Sequence, residues 1–320
     1  MEHLVYILRR ILLIVPTFLG ITLVCFALTR FLPGGPIELR LMRMKGIGAG
    51  GESAQTMQTS AQGVSETYRK ELEAQFGFDK PFFVQYYNYL VVNKMGLMLP
   101  SYDHPEKTVW QLIKRRIPIS VLFGLTSFFL TYLICIPLGV IKALKHRQFF
   151  DAASSLIVFA SYAIPTFALG MMLKTLMPSS EESMFAPLAC YVAGSFAMLS
   201  LLMKNSLLDQ ISSDYVRTVI AKGASRTRAI WMHAFRNAMI PLVTGLGSVF
   251  SLLFAGSIIV ETIFEIPGMG RLSWDALIAR DYAVFLGLLS LTAVFQLFGN
   301  LVSDVLYVVV DPRISFSSKS

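Results

Sequence analysis

The sequence predicts an all-α fold: a polytopic membrane helix bundle with six transmembrane helices and one long, patterned loop on the cytoplasmic side. Three observations predict it. Hydrophobic residues make up 54% of the 320 positions and charged residues only 15%; with a mean hydropathy of +0.60, the chain has more apolar surface than a soluble core uses. Six uncharged, mainly apolar windows recur, each of about 20 residues, the length that crosses a hydrocarbon core. Lys and Arg gather in alternate connections between them, as they do in segments held on the cytoplasmic face. This composition excludes a disordered chain, a disulfide scaffold and an ordinary soluble enzyme. It also makes the net charge of +8 a matter of orientation rather than of nucleic-acid binding.

The first window, 11–29, follows Arg9 and Arg10. It is too long for a cleaved signal core and is expected to remain as a span. Residues 1–30 therefore form the first segment and 31–117 an external region. Within that region 46–65 is a Gly/Ser/Gln-rich flexible loop, and Ser65 caps an amphipathic helix carrying Tyr68, Leu72 and Phe76 that stops at Gly77. After Lys80-Pro81 comes an aromatic stretch, Phe82 to Leu90, suited to packing or interfacial anchoring. Lys114, Arg115 and Arg116 fall on the external side, where Trp110, Leu112, Ile113 and Ile117 suggest an interfacial helix with a basic face. The remaining windows, 119–141, 152–173, 184–203, 238–260 and 283–303, build the core, 118–320. An even count puts both termini on one side, and the basic connections make that side cytoplasmic.

The windows contain no Asp, Glu, Lys, Arg or His. An ion-coupled transporter needs charge-changing groups along its path, so energy has to enter from outside the spans. Intramembrane catalysis is disfavoured too, since His3, His104, His146 and His233 all lie in termini or loops. Cys25, Cys135 and Cys190 sit in apolar runs without metal-ligand spacing and read as buried small hydrophobes. Small and weakly polar residues such as Gly139, Pro165, Gly247, Gln296 and Asn300 leave two readings open. One is close helix packing; the other is a bundle that rearranges around a polar passage lined by Gln296 and Asn300.

The connection 204–236 is too long and patterned for a plain turn. Ile211, Tyr215 and Val219 recur at helical spacing over 209–222, Gly223 supplies a stop, and Ser225 caps a second helix. A helix of this kind lying across the membrane face can transmit force from a soluble partner to the two spans it joins.

Here the residues resemble a family. Asp214-Tyr215-Val216-Arg217-Thr218, Ala221-Lys222-Gly223, and then His233-Ala234, Arg236-Asn237-Ala238 and Pro241 are similar to the cytoplasmic motif of ABC importer permeases of the dipeptide, oligopeptide and nickel class. Supporting matches include Pro33-Gly34-Gly35-Pro36, Ile136-Pro137-Leu138-Gly139, Ala163-Ile164-Pro165, Pro267-Gly268-Met269-Gly270, Arg280-Asp281-Tyr282 and Asp311-Pro312-Arg313. The Gly/Glu insert at 48–52 and Gly77-Phe78-Asp79-Lys80-Pro81 are most similar to the subgroup that imports oligopeptides and antibiotics of the microcin C type.

The resemblance implies a peptide-translocating permease subunit in the bacterial inner membrane. Its partners would be a second homologous permease, two cytoplasmic ATPases holding ATP and Mg, an external solute-binding protein and membrane lipid, with no nucleic acid. The chain itself would bind no cofactor or metal and catalyse nothing. Asp214, Tyr215, Arg217, Thr218, Ala221, Lys222, Gly223 and Ser225 would form the ATPase-coupling element. Two departures stand out: Val219 and Ile220 make that helix more apolar than the family pattern, and the connection 175–183 is short, which narrows the external entrance or shifts the fourth span. A nickel or other small-solute permease remains the alternative, and an autonomous channel is a rival from another class.

Overall fold

The computed structural model describes residues 2–31, 70, 79–177 and 184–310. Among them every extended regular element is helical. The helices are α1 (Glu2–Phe31), α2 (Phe82–Tyr87), α3 (Val109–Leu144), α4 (Phe149–Ala163), α5 (Thr166–Leu176), α6 (Phe185–Ser212), α7 (Asp214–Ala221), α8 (Arg226–Ala229), α9 (Phe235–Ala238), α10 (Ile240–Thr244), α11 (Leu246–Ala255), α12 (Ile258–Ile263), α13 (Met269–Ile278) and α14 (Tyr282–Val310). Single π-helical turns extend α2 at Asn88–Val92 and join α8 to α9 at Ile230–Ala234. The loop 46–65, the motifs at 33–36 and 311–313, and the Ser65-capped helix apart from Lys70 lie outside the described residues.

The six windows do not become six continuous helices. Four fall in α1, α3, α6 and α14, each long and apolar enough to cross a bilayer. The third is divided between α4 and α5, which meet at 91°. Pro165 has no N–H to donate and forces Ile164 out of the helical region, to ψ 116°. The fifth is broken into α9, α10 and α11 by Met239 and Gly245. Pro241 removes a further donor there, and Gly247 lies so close to Gly299 and Ser303 of α14 that a side chain would overlap them. Close approach by small residues is how helices pack where lipid offers no hydrophobic drive.

Two boundaries differ from the sequence reading. The basic residues Lys114–Arg116 belong to no separate interfacial helix. They occupy the early turns of α3, whose 36 residues span about 54 Å at 1.5 Å per residue, well beyond the ~30 Å hydrocarbon core. Likewise α6 continues past its window to Ser212, and Ser213, with ψ 151°, starts a new helix at Asp214 instead of at 209.

The chain divides into two compact units, Met1–Val15 with Arg116–Arg271 and Val294–Ser320, and Pro16–Arg115 with Leu272–Ala293. In the first, contacts at helix ends establish that successive spans alternate in direction. The end of α3, the start of α4 and the end of α6 meet through Lys142, Asp151 and Lys204, and Ser206 bonds the Ala238 carbonyl where the fifth window begins. Ser120 near the start of α3, Tyr191 in the first half of α6 and Glu261 at the end of the fifth window meet elsewhere. In the second unit the aromatic stretch is packing. Phe26, Tyr89 and Leu286 are buried together with Phe82 and Tyr86 against them, and the Tyr89 hydroxyl meets Ser290. Asp281 accepts from the Val284 N–H at 3.2 Å, capping α14, and from the Ser101 hydroxyl.

Candidate functional site

Asp214–Ala221 forms a two-turn amphipathic helix because its apolar positions are spaced three apart. Val216 is fully buried and Val219 half-buried. They pack with Val140 and Ala143 of α3, Met203 and Leu207 of α6, and Ala229, Ala234 and Ala238 of the returning segment. The other face is open. Asp214, Tyr215, Arg217, Thr218, Ala221, Lys222, Gly223 and Ser225, the eight residues singled out from the sequence, are all exposed. Val219, one of the two apolar departures, thus points into the core, whereas Ile220 stays 41% exposed.

The helix ends as its residues dictate. Gly223 has φ +93°, in the left-handed region open to glycine at no steric cost. Its N–H reaches the Ile220 carbonyl at 2.9 Å and the Ala224 N–H that of Val219 at 3.2 Å, closing the last turn. The Ser225 hydroxyl accepts from the Arg228 N–H, capping α8. Tyr215 ties the helix to both neighbours: its hydroxyl donates to Gln210 of α6 at 2.8 Å and accepts from Asn237 of the return at 3.0 Å. A push on the exposed face is therefore carried through close-packed contacts, which have little compressibility, into α3, α6 and the fifth window.

Next to this element is a polar cluster that sequence reasoning missed. Asp151 receives Lys204 Nζ at 2.6 Å, His146 Nδ1 at 3.2 Å and Lys142 Nζ at 3.9 Å, and Lys142 also donates to Ser155 at 2.8 Å. The Lys142 side chain is fully buried and that of Asp151 nearly so. Each of the three charges sits one residue outside a window. Charges flanking several windows on one predicted side are the sequence signal for it, since helices of opposite direction bring such positions to equal depth.

A second buried carboxylate lies where the fifth window ends. Glu261, wholly buried, accepts from Ser120 at 2.8 Å, Tyr191 at 3.2 Å, and the Ser257 and Arg271 N–H groups at 3.3 and 2.9 Å. Gly256 and Gly268 leave the room it needs, since a Cβ at either would overlap the carboxylate. This explains Gly268 of the Pro267-Gly268-Met269-Gly270 motif as space for an acid, while Gly270 leaves room for the Ser257–Ile258 backbone. Gln296 and Asn300 bond each other at 2.9 Å, one turn apart on an exposed face of α14. No group of His, Cys, Asp and Glu suited to a metal is found among the described residues.

Known proteins match the chain over nearly its whole length. A family model described as the binding-protein-dependent transport system inner membrane component matches residues 135–316. The chain is 33% identical to the inner membrane ABC transporter permease protein YejB of Escherichia coli O157:H7, over 98% of this chain and 99% of that one. It is 33% identical to the dipeptide transport system permease protein DppB of Escherichia coli K12 (97% and 98% covered). It is also 30% identical to the oligopeptide transport system permease protein AppB of Bacillus subtilis 168 (97% and 99%).

Proposed function

Because the chain belongs to the family of binding-protein-dependent transport system inner membrane components, multi-pass permeases that act with other transporter components, we propose that it is a translocating subunit of an ABC importer for peptides or peptide-like compounds. The observation that carries this reading is α7: Asp214, Tyr215, Arg217, Thr218 and Ala221 exposed on one face, Lys222, Gly223 and Ser225 exposed just beyond its end, and Val216 and Val219 wedged among three membrane segments on the other face. A soluble ATPase docks on the exposed face, and Gly223 makes the turn that lets the chain return to the membrane. Two such ATPases hold ATP and Mg, a second homologous permease completes the passage, and an external solute-binding protein delivers the cargo to the face bearing 31–117. Both termini lie in the cytoplasm. The chain binds no cofactor of its own and catalyses no reaction. The uncharged windows suit it to a motor supplied from outside, and Gln296 and Asn300 line the passage. The similarity to dipeptide and oligopeptide permeases supports peptide cargo.

Gly223→Pro tests the coupling role. Proline's fixed φ near −65° cannot adopt +93°, so the helix end is displaced while every span is left alone. Membrane insertion and the yield of the chain are expected to persist and peptide uptake by the assembled transporter to be lost. Normal uptake overturns the assignment. Tagged wild-type chain should bring down a second permease and ATPases on purification, and recovery of a conducting chain without them would favour a channel.

A further inference from the structure

The third apolar window breaks near its middle. α4 ends at Ala163, α5 begins at Thr166, and the two meet at 91°. The pair crosses the membrane instead of turning back: Asp151 at the start of α4 bonds Lys204 at the end of α6, whereas Lys174 near the end of α5 bonds the Ile263 carbonyl at 2.8 Å, beside Glu261 and its partners Ser120 and Tyr191. The break lies near the centre of the crossing. A Cβ on Gly194, midway along the fourth window, would meet the Thr166 hydroxyl at 3.8 Å.

A helix end leaves its last four carbonyls without intrahelical partners. Pro165 offers no N–H, and no side chain caps the start of α5. Residues 162–165 are exposed. Tyr162 is 72% exposed, at a depth where a phenol facing lipid has nothing to bond. Open backbone groups are tolerated at membrane depth only where protein buries them or water reaches them. Nothing in this chain buries 162–165, and the phenol of Tyr162 beside the open carbonyls favours water over lipid as what reaches them.

We propose that the break 162–165 lines the aqueous passage and hydrogen-bonds the backbone amides of a peptide in transit. The carbonyls at the end of α4 accept from its N–H groups, and the Tyr162 hydroxyl donates to its carbonyls. This rests on the peptide-importer reading and deepens it, because backbone recognition holds cargo of any side-chain composition. The test uses the assembled transporter in membrane vesicles, with Cys25, Cys135 and Cys190 replaced by alanine and a single cysteine introduced as Ala163→Cys or, separately, Ile164→Cys. A charged, water-soluble methanethiosulfonate should modify either at least about tenfold faster than Leu156→Cys, since the reacting thiolate forms only where water reaches, and trialanine should slow the reaction at both. Equal rates at 156, 163 and 164 overturn the passage assignment, whether lipid or a partner covers the break. Fast modification that trialanine leaves unchanged overturns the peptide contact. Uptake of labelled trialanine by the cysteine-free parent is scored separately: failure there refutes peptide cargo, while reagent access to 163 still decides whether the break faces water.

Discussion

Removing the Asp151 carboxylate should unsettle the basic end of the bundle by a calculable amount. In Asp151→Ala, Lys142, with no exposed side-chain surface, and Lys204, with 12%, are left facing each other without their shared counter-ion. Deleting one member of a buried pair costs about 3–5 kcal/mol, most of it from the uncompensated charge. Lys142 keeps its 2.8 Å bond to Ser155 and Lys204 some access to water, so the lower end, about 3 kcal/mol, is expected. In a chain of 320 residues 1 kcal/mol moves the melting temperature by about 1.5 °C, giving a fall of about 4–5 °C in detergent-solubilised protein followed by size-exclusion recovery after heating. Asp151→Ala with Lys142→Met and Lys204→Met should regain most of the loss, because an apolar replacement of a whole ion cluster is close to neutral. A single variant that melts within about 1 °C of the parent, or a triple variant no better than the single, would refute the argument that charge pairing joins these helix ends.

Three further outcomes are expected. Glu261→Gln, with its oxygen kept toward Ser120, Tyr191 and Ser257, places an amide donor against the Arg271 N–H, costing about 1.5–3 kcal/mol through the lost charge-assisted bond; the loss is read as a lower melting temperature, and Glu261→Asp, too short to reach all four partners, should not rescue it. Val219→Asp buries a charge among Val140, Met203 and Leu207, so uptake should fall sharply with membrane insertion retained, whereas Ile220→Asp on the exposed face should be tolerated for folding; equal folding defects from both would contradict the facing of α7. Burial pushes the Tyr89 hydroxyl up to about 12, above its ordinary value near 10. The folded state then holds the proton more tightly, so the contribution of this group is complete below pH 10 and declines by up to about 3 kcal/mol as pH rises toward 12. Tyr89→Phe should make the alkaline slope shallower in denaturation measured between pH 9 and 12, leaving the share of Tyr102, which burial also raises to about 12.

Much of this protein is legible along one dimension. Apolar windows and flanking charge depend only on what is near in sequence, so the membrane class, the alternation of spans and the exposed amphipathic helix with its turn could be read from Arg9-Arg10, the uncharged runs and Asp214–Ser225. The turn at Gly223 was readable for the same reason, since a left-handed residue after an amphipathic run is a local requirement. Helix continuity was less so. Proline and glycine break a soluble helix, yet Pro118 and Pro137 lie inside α3, because neighbouring helices and local adjustment can satisfy freed backbone groups within a membrane. Whether Pro165 bends and Pro137 does not is settled by the surroundings of each.

The sequence alone determined that the chain is helical, crosses a membrane several times and presents a polar helix on its basic side, because hydropathy and periodicity are sums over neighbours. Only the tertiary structure decided which charges meet, which face of α7 is buried, and why glycines surround Glu261. Those facts join positions as far apart as Ser120 and Glu261, or Asp151 and Lys204, and a buried carboxylate is tolerable only when all its partners arrive together.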